Sequence, residues 1–271
     1  MTFAHVSMAL LVACLAVPLY AKPISGASST PRKPPAPLEA RRPKPPRPVE
    51  TVRVAGNYCT EIEQRCLRWL PNTKEVVSHE PLRCAEFAPS VCKGQTRPMT
   101  FEIDRYEYPG RAGVRPQVNV TWVQAGALCA ARGKRLCTEE EWTLACEGDS
   151  LWPYPYGLVR DASACHIDEP LRPSAHQGSP ERNARVGPHW KMPIDQREPS
   201  GKRPACVSPF GVFDMTGNVD EWVDGHASGH ASSSMGGYWG PVRNRCRVVT
   251  RAHDAKFSFY QTGFRCCRDV P

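Results

Sequence analysis

The chain has 271 residues, 41% of them hydrophobic and 23% charged, with 28 Pro, 20 Gly and 13 Cys, which suits one domain of about 180–220 residues plus appendages. Of its 35 Lys and Arg and 27 Asp and Glu, residues 22–53 hold 8 and 2, leaving 27 and 25 from Val54 onward. That near-neutral body lacks the clustered cationic face of a nucleic-acid-binding surface, and no apolar run reaches the roughly 18–20 residues of a membrane-spanning helix.

Residues 1–21 read as an export signal, because Val6 to Ala21 is uncharged and apolar and too short to span a bilayer. The preceding Met-Thr-Phe-Ala-His lacks the usual Lys or Arg. Two exits are open: cleavage near Ala21 would release a secreted or periplasmic protein, whereas Leu11-Val12-Ala13-Cys14 resembles a bacterial lipobox that would attach the chain to a membrane through a lipid on Cys14. Residues 22–53 carry 9 Pro among Lys, Arg, Ser and Ala and form a semi-extended linker that cannot bury a core.

Setting Cys14 aside leaves twelve cysteines from Cys59 to Cys267. An even number at this density points to disulfides in an oxidising compartment, and the absence of any Cys-x-x-Cys pair argues against zinc. Residues 54–98 hold four cysteines in two local pairs by spacing, Cys59–Cys66 and Cys84–Cys92, and read as a small stapled extension of the domain that occupies 99–271.

Within that domain, Phe101-Glu-Ile-Asp-Arg-Tyr-Glu-Tyr108 alternates apolar and polar as a half-buried strand does. Thr121 precedes a helix expected over Trp122–Arg132, with Val123, Ala127, Leu128 and Ala131 at helical spacing and Gly133 as the stop. Thr138 caps a second helix, Glu141 completes a capping box, and Glu139 and Glu140 sit where the helix dipole favours acid; the helix should end near Gly148. Residues 150–210, rich in Pro, Gly and charge, are expected to be mostly loop, and 211–271 short strands between Gly turns.

Seven pieces from Met99 onward occur in the order of a known family. They are Val120-Thr-Trp-Val-Gln-Ala-Gly-Ala-Leu-Cys129, Gly133-Lys-Arg-Leu136, Thr138-Glu-Glu-Glu-Trp142, Tyr154-Pro-Tyr-Gly157, Gly211-Val-Phe-Asp-Met-Thr-Gly-Asn-Val-Asp-Glu-Trp222, Gly236-Gly237 and Gly263-Phe-Arg-Cys266. The chain thereby resembles the formylglycine-generating enzyme, or sulfatase-modifying factor, family. The resemblance implies an α+β, C-type-lectin-like fold rich in irregular loop.

The stretch Asp214 to Glu221 places two carboxylates and small-residue carbonyls in a short loop, oxygen-ligand chemistry suited to calcium. By resemblance, the ligands are the side chains of Asp214 and Glu221 and the carbonyls of Gly217 and Val219. At a second family calcium site, near Cys165-His-Ile-Asp168, His166 stands where an amide is usual.

Family oxidases carry two copper-binding cysteines between the Gly-Gly pair and an Arg-x-Arg-Cys. Here Tyr238-Trp-Gly-Pro-Val-Arg-Asn-Arg245 separates Gly237 from Cys246 and contains no cysteine. A looser alignment equates Cys246 with the second catalytic cysteine, with Pro241 replacing the first. Either way the copper pair is incomplete, so copper is not expected.

By resemblance, Cys129 joins Cys266 and Cys146 joins Cys246. Cys137–Cys267 and Cys165–Cys206 are then plausible for the cysteines left over, with a reactive Cys266/Cys267 thiol pair as the sharp alternative. His226 and His230 are four apart but lie among Gly, Ala and Ser, and no Gly-x-Ser-x-Gly elbow accompanies His253-Asp254.

Two functions are open. One is a non-oxidase domain whose cleft binds a peptide, glycan or protein partner in the cell envelope. The other is an enzyme acting on a protein substrate, either oxidising cysteine with Cys246 or using different cleft residues, for which Arg243, Arg245, Trp239 and His253 are the candidates.

Overall fold

The computed structural model describes residues 50–72, 82–177 and 191–270. The export signal, Cys14 and most of the 22–53 linker lie outside the described residues, as does part of the 150–210 loop.

Both helices start at a threonine that satisfies the orphan N–H groups of the first turn. In α1 (Trp122–Ala130), the Thr121 hydroxyl accepts from Gln124 N–H at 3.1 Å, and the Gln124 side chain accepts from Thr121 N–H at 2.9 Å. In α2 (Glu139–Glu147), Thr138 and Glu141 make the same reciprocal pair at 3.1 and 2.9 Å, and Gly148 closes the helix with φ +63°. Helix α1 stops at Ala130 rather than Arg132. Its buried face is Ala125 and Cys129, whereas Val123 is exposed.

The strands are β1 (Thr51–Cys59), β2 (Ile62–Glu63), β3 (Cys66–Leu70), β4 (Arg83–Phe87), β5 (Val91–Cys92), β6 (Thr96–Asp104), β7 (Arg135–Leu136), β8 (Pro173–Gln177), β9 (Lys191–Pro193), β10 (Asp220–Asp224), β11 (Ser232–Met235), β12 (Val249–Thr250), β13 (Thr262–Phe264) and β14 (Cys266–Asp269). One four-stranded sheet has the order β1-β6-β14-β7, all antiparallel. The other has the order β12-β11-β10-β13, with β10 and β13 parallel.

Val54, Phe101, Ile103, Trp142, Leu144, Met215 and Met235 form the main core, between the first sheet and α2. A second cluster joins α1 through Ala125 and Cys129 to Trp222 and Phe264.

The segment 54–98 is more than an appendage. Strand β1 pairs with β6 along its whole length, Val54 opposite Phe101, so the first sheet crosses the boundary expected at residue 98. It also begins inside the expected linker, at Thr51.

The two local disulfides of this segment differ from the expected Cys59–Cys66 and Cys84–Cys92. Cys59 joins Cys92 and Cys66 joins Cys84, with Cα–Cα distances of 5.9 and 5.8 Å. The reason is nesting: β3 pairs with β4 inside a loop whose ends, β2 and β5, also pair, so neighbours in sequence are carried to opposite arms. The remaining pairs are Cys129–Cys266, Cys137–Cys267, Cys146–Cys246 and Cys165–Cys206. The first two pin the adjacent cysteines of β14, one to α1 and one to the lead-in of α2. Cys266 and Cys267 are therefore not a free thiol pair.

Candidate functional site

The turn from Asp214 to Glu221 depends on backbone that favours glycine or short polar residues. Asp214, Gly217 and Asn218 have φ of +57°, +82° and +56°. At Gly217 a Cβ would lie 2.3 Å from the His166 carbonyl, so only glycine fits there. This packing brings a set of buried polar groups together. The Asp214 carboxylate accepts from Gly201 N–H at 2.6 Å. Buried Glu107 accepts from the Asn218 amide at 3.0 Å and from the Ser200 hydroxyl at 2.6 Å. Burial pushes both carboxyls up, and each is raised further by neighbouring carboxylates, against the opposing charge of Arg265.

Glu221 differs. Both of its oxygens accept from Arg265 at 2.6 Å, and one also accepts from Trp142 Nε1 at 2.8 Å. Arg265 is fully buried and continues to the Phe213 carbonyl at 2.9 Å. The calcium set implied by resemblance fits in part. Three buried carboxyls, Glu107, Asp214 and Glu221, lie near a single guanidinium, so any charge they carry beyond one would suit a hard divalent cation. However, Glu221 already accepts three hydrogen bonds, and among the described residues no three His, Cys, Asp or Glu side chains converge as a ligand group.

At the second calcium position, Asp168 accepts from Arg160 at 2.7 and 2.9 Å and from Arg83 at 3.0 Å. Burial works to raise its pKa, but these hydrogen bonds outweigh it and hold the carboxyl low. His166 bonds to the Gln196 carbonyl and to Arg203, which leaves neither ring nitrogen free for a metal.

The segment after Gly236-Gly237 lines a cleft of about 580 Å³. Asp220 at the start of β10, Tyr238, Val242, Arg243, Val248, Thr250, His253, Phe257, Phe259 and Gln261 line it, with the Asp220 N–H donating to the Gln261 carbonyl at 2.9 Å. An aromatic ladder runs through these residues: His253 stacks on Phe257 with centroids 3.8 Å apart, Phe257 lies 5.9 Å from Phe259, and Phe259 lies 4.6 Å from Tyr260. One oxygen of Asp220 accepts from Gly237 N–H at 2.9 Å. Burial holds the Asp220 pKa up to about 7, with the Glu221 charge adding and the Gly237 N–H and Arg243 opposing.

The cleft contains two of the residues singled out in the sequence, Arg243 and His253. Burial keeps His253 below the usual histidine range, against the pull of Asp254. Trp239 points elsewhere: it is fully buried against Tyr260 at 5.8 Å. Arg245 lies over the Phe87 ring, 5.7 Å from its centroid. Cys246 is buried in its bond to Cys146. Asp220, Tyr238, Phe257 and Phe259 were missed as cleft residues; the alternation of aromatic and polar residues over Phe257-Ser-Phe-Tyr260 was the available signal. His226 and His230 build no metal site: His226 opens a short 3₁₀ turn and bonds to Asp224.

The sulfatase-modifying factor enzyme 1-like domain family matches residues 77–270. Among similar proteins, the inactive C-alpha-formylglycine-generating enzyme 2 of Mus musculus is 31% identical over 229 residues, covering 77% of this chain and 67% of its own length. The protein of that name in Bos taurus is 33% identical over 166 residues, 56% of this chain and 49% of its own. The formylglycine-generating enzyme of Thermomonospora curvata is 29% identical over 182 residues, 57% and 55%. The chain thus spans about half to two thirds of the length of these relatives.

Among solved structures, CarF aligns with a TM-score of 0.48 and 17% identity over 83% of this chain and 99% of its own. PvdO from Pseudomonas aeruginosa aligns with a TM-score of 0.44 and 18% identity over 81% and 94%. The match over residues 77–270 shows that the chain belongs to the sulfatase-modifying factor enzyme 1-like domain family, with its α+β, C-type-lectin-like fold.

Proposed function

We propose that this chain is a non-oxidase member of its family, a disulfide-stapled module whose aromatic cleft binds a peptide segment of a protein partner in an oxidising compartment such as the cell envelope. One observation carries the reading: all twelve cysteines from Cys59 to Cys267 are paired with one another. Copper-dependent oxidation of cysteine uses two thiolates on one metal, and a cysteine held in a disulfide has no thiolate to give. The residues near Gly236-Gly237 therefore do not fit copper(I). The name of the mouse relative, an inactive formylglycine-generating enzyme, agrees with this reading. Six disulfides suit export, since cytosolic reductants keep thiols reduced.

The test has two arms. A peptide bearing a sulfatase-type Cys-x-Pro-x-Arg motif, incubated with the copper-treated protein and oxygen, is expected to show no aldehyde by mass spectrometry. Aldehyde that disappears in a Cys246→Ser variant would overturn the non-oxidase reading. In the second arm, peptides selected for binding to the full chain are expected to lose affinity when Thr250→Trp fills the cleft, and retained affinity would place the binding surface elsewhere.

A further inference from the structure

An acid, Asp220, and a guanidinium, Arg243, line the cleft and, among the described residues, form no ion pair with each other or with any other side chain. Asp220 makes no ion pair among the described residues, and its carboxylate's one hydrogen bond is from Gly237 N–H. Arg243 is exposed and makes neither a hydrogen bond nor an ion pair among the described residues. They are close enough for the charge of Arg243 to act on Asp220 yet form no contact within 4.0 Å. The same cleft has hydrocarbon and aromatic lining from Val242, Val248, Phe257 and Phe259. The other titratable groups at the cleft are His253, stacked on Phe257, and the Tyr238 phenol, held above its usual range by burial.

An unpaired acid alone in an apolar cleft would select a cation, and an unpaired guanidinium alone would select an anion. Both together, unpaired in a cleft that also has apolar lining, complement a ligand that carries both charges on an aliphatic spacer. Aromatic faces add to such a site, because they attract ammonium groups and cover methylene chains. A small α-amino acid such as glycine would leave the apolar wall uncovered. A ligand that uses all three features is a lysine at the end of a chain, with its ammonium, four methylenes and a terminal carboxylate.

We propose that the cleft between Asp220 and Arg243 binds the carboxy-terminal lysine of a partner peptide, with the side-chain ammonium on Asp220, the terminal carboxylate on Arg243 and the methylene chain along Phe257 and Phe259. This deepens the partner-binding reading and rests on it.

The test uses the full chain, disulfides intact, and three matched probes in isothermal titration calorimetry. Nα-acetyl-lysine carries both charges, Nα-acetyl-lysine amide lacks the carboxylate, and Nα-acetyl-norleucine lacks the ammonium. Nα-acetyl-lysine is expected to bind at least about tenfold more tightly than either analogue, the ratio that one well-placed charged contact supplies. Asp220→Asn, which keeps an oxygen to accept from Gly237 N–H, should bring Nα-acetyl-lysine down to the level of Nα-acetyl-norleucine. Arg243→Gln should bring it down to the level of the amide.

Equal affinities for the three probes, or no saturable binding up to about 10 mM, would overturn the proposal. So would an Asp220→Asn protein that still prefers the ammonium. If selected peptides without a terminal lysine lose binding in Thr250→Trp, the partner-binding reading survives and only the lysine assignment falls.

Discussion

At the scale of single residues, the buried ion pair of Arg265 with Glu221 has the largest expected leverage. A buried pair adds little net stability over an apolar pair of the same size, but removing one member strands the other. Glu221 would lose two of its three hydrogen bonds, and three buried carboxylates would have no cation left. Arg265→Met is therefore expected to cost about 3–5 kcal/mol in urea unfolding, or to prevent folding. Glu198 supplies a pH signature. Its burial acts to raise the pKa, but hydrogen bonds from Arg203 and Lys202 prevail and hold it at about 2 against an unperturbed 4.5. Because the folded pKa is the lower one, the stability from Glu198 is present above about pH 4.5 and is lost as pH falls toward 2. Glu198→Gln should therefore be less stable than the wild type at pH 6, with the gap narrower at pH 3. A gap that is constant or wider at pH 3 would show that Glu198 is not held low in the folded state.

At the scale of elements, much of the chain is legible in sequence because the signals are local. Thr138 and Glu141 announce the start of α2 and Gly148 its end, and the structure has the helix over Glu139–Glu147. Thr138→Ala should cost about 1 kcal/mol, read as a shift of the urea midpoint without a change of slope. Helix α1 was legible in position but not in its buried face. Val123 has the right spacing, yet α1 packs through Ala125 and Cys129, because the disulfide to Cys266 fixes which side faces β14. The nested disulfides of the first segment were not legible, since spacing favours neighbours and hairpin nesting depends on strands of two residues. The cleft was legible only in fragments. Its wall is assembled from residues around 220, 237–243 and 248–262, and nothing in a linear pattern says that Asp220 at the start of β10 lines the same cleft as Phe257.

At the scale of the whole molecule, the two ends of the domain are drawn into one sheet, where β1 and β14 both pair with β6 and four disulfides with separations of 41 to 137 residues close the rest. Such cross-links act largely by restricting the unfolded chain, so the scaffold does not need a metal to hold its topology. Calcium would therefore act as an increment, through charge. Glu107, Asp214 and Glu221 are buried with only Arg265 to balance them, so the molecule must either hold protons on some of these carboxyls or offset them with a cation. We propose the cation, with Asp214 and the Gly217 and Val219 carbonyls as its ligands and Glu221 contributing without leaving Arg265. A ligand that binds only the native state raises stability by about RT ln(1 + [L]/Kd), so a chelator should lower the melting temperature and added calcium should restore it, while magnesium, which demands a tighter octahedron, should not. Asp214→Asn keeps an oxygen to accept from Gly201 N–H while removing one negative charge, so it should fold and lose the chelator response. A wild-type melting curve that does not move with chelator would mean that the buried carboxyls are kept neutral by protons, and that the loop from Asp214 to Glu221 is a structural turn.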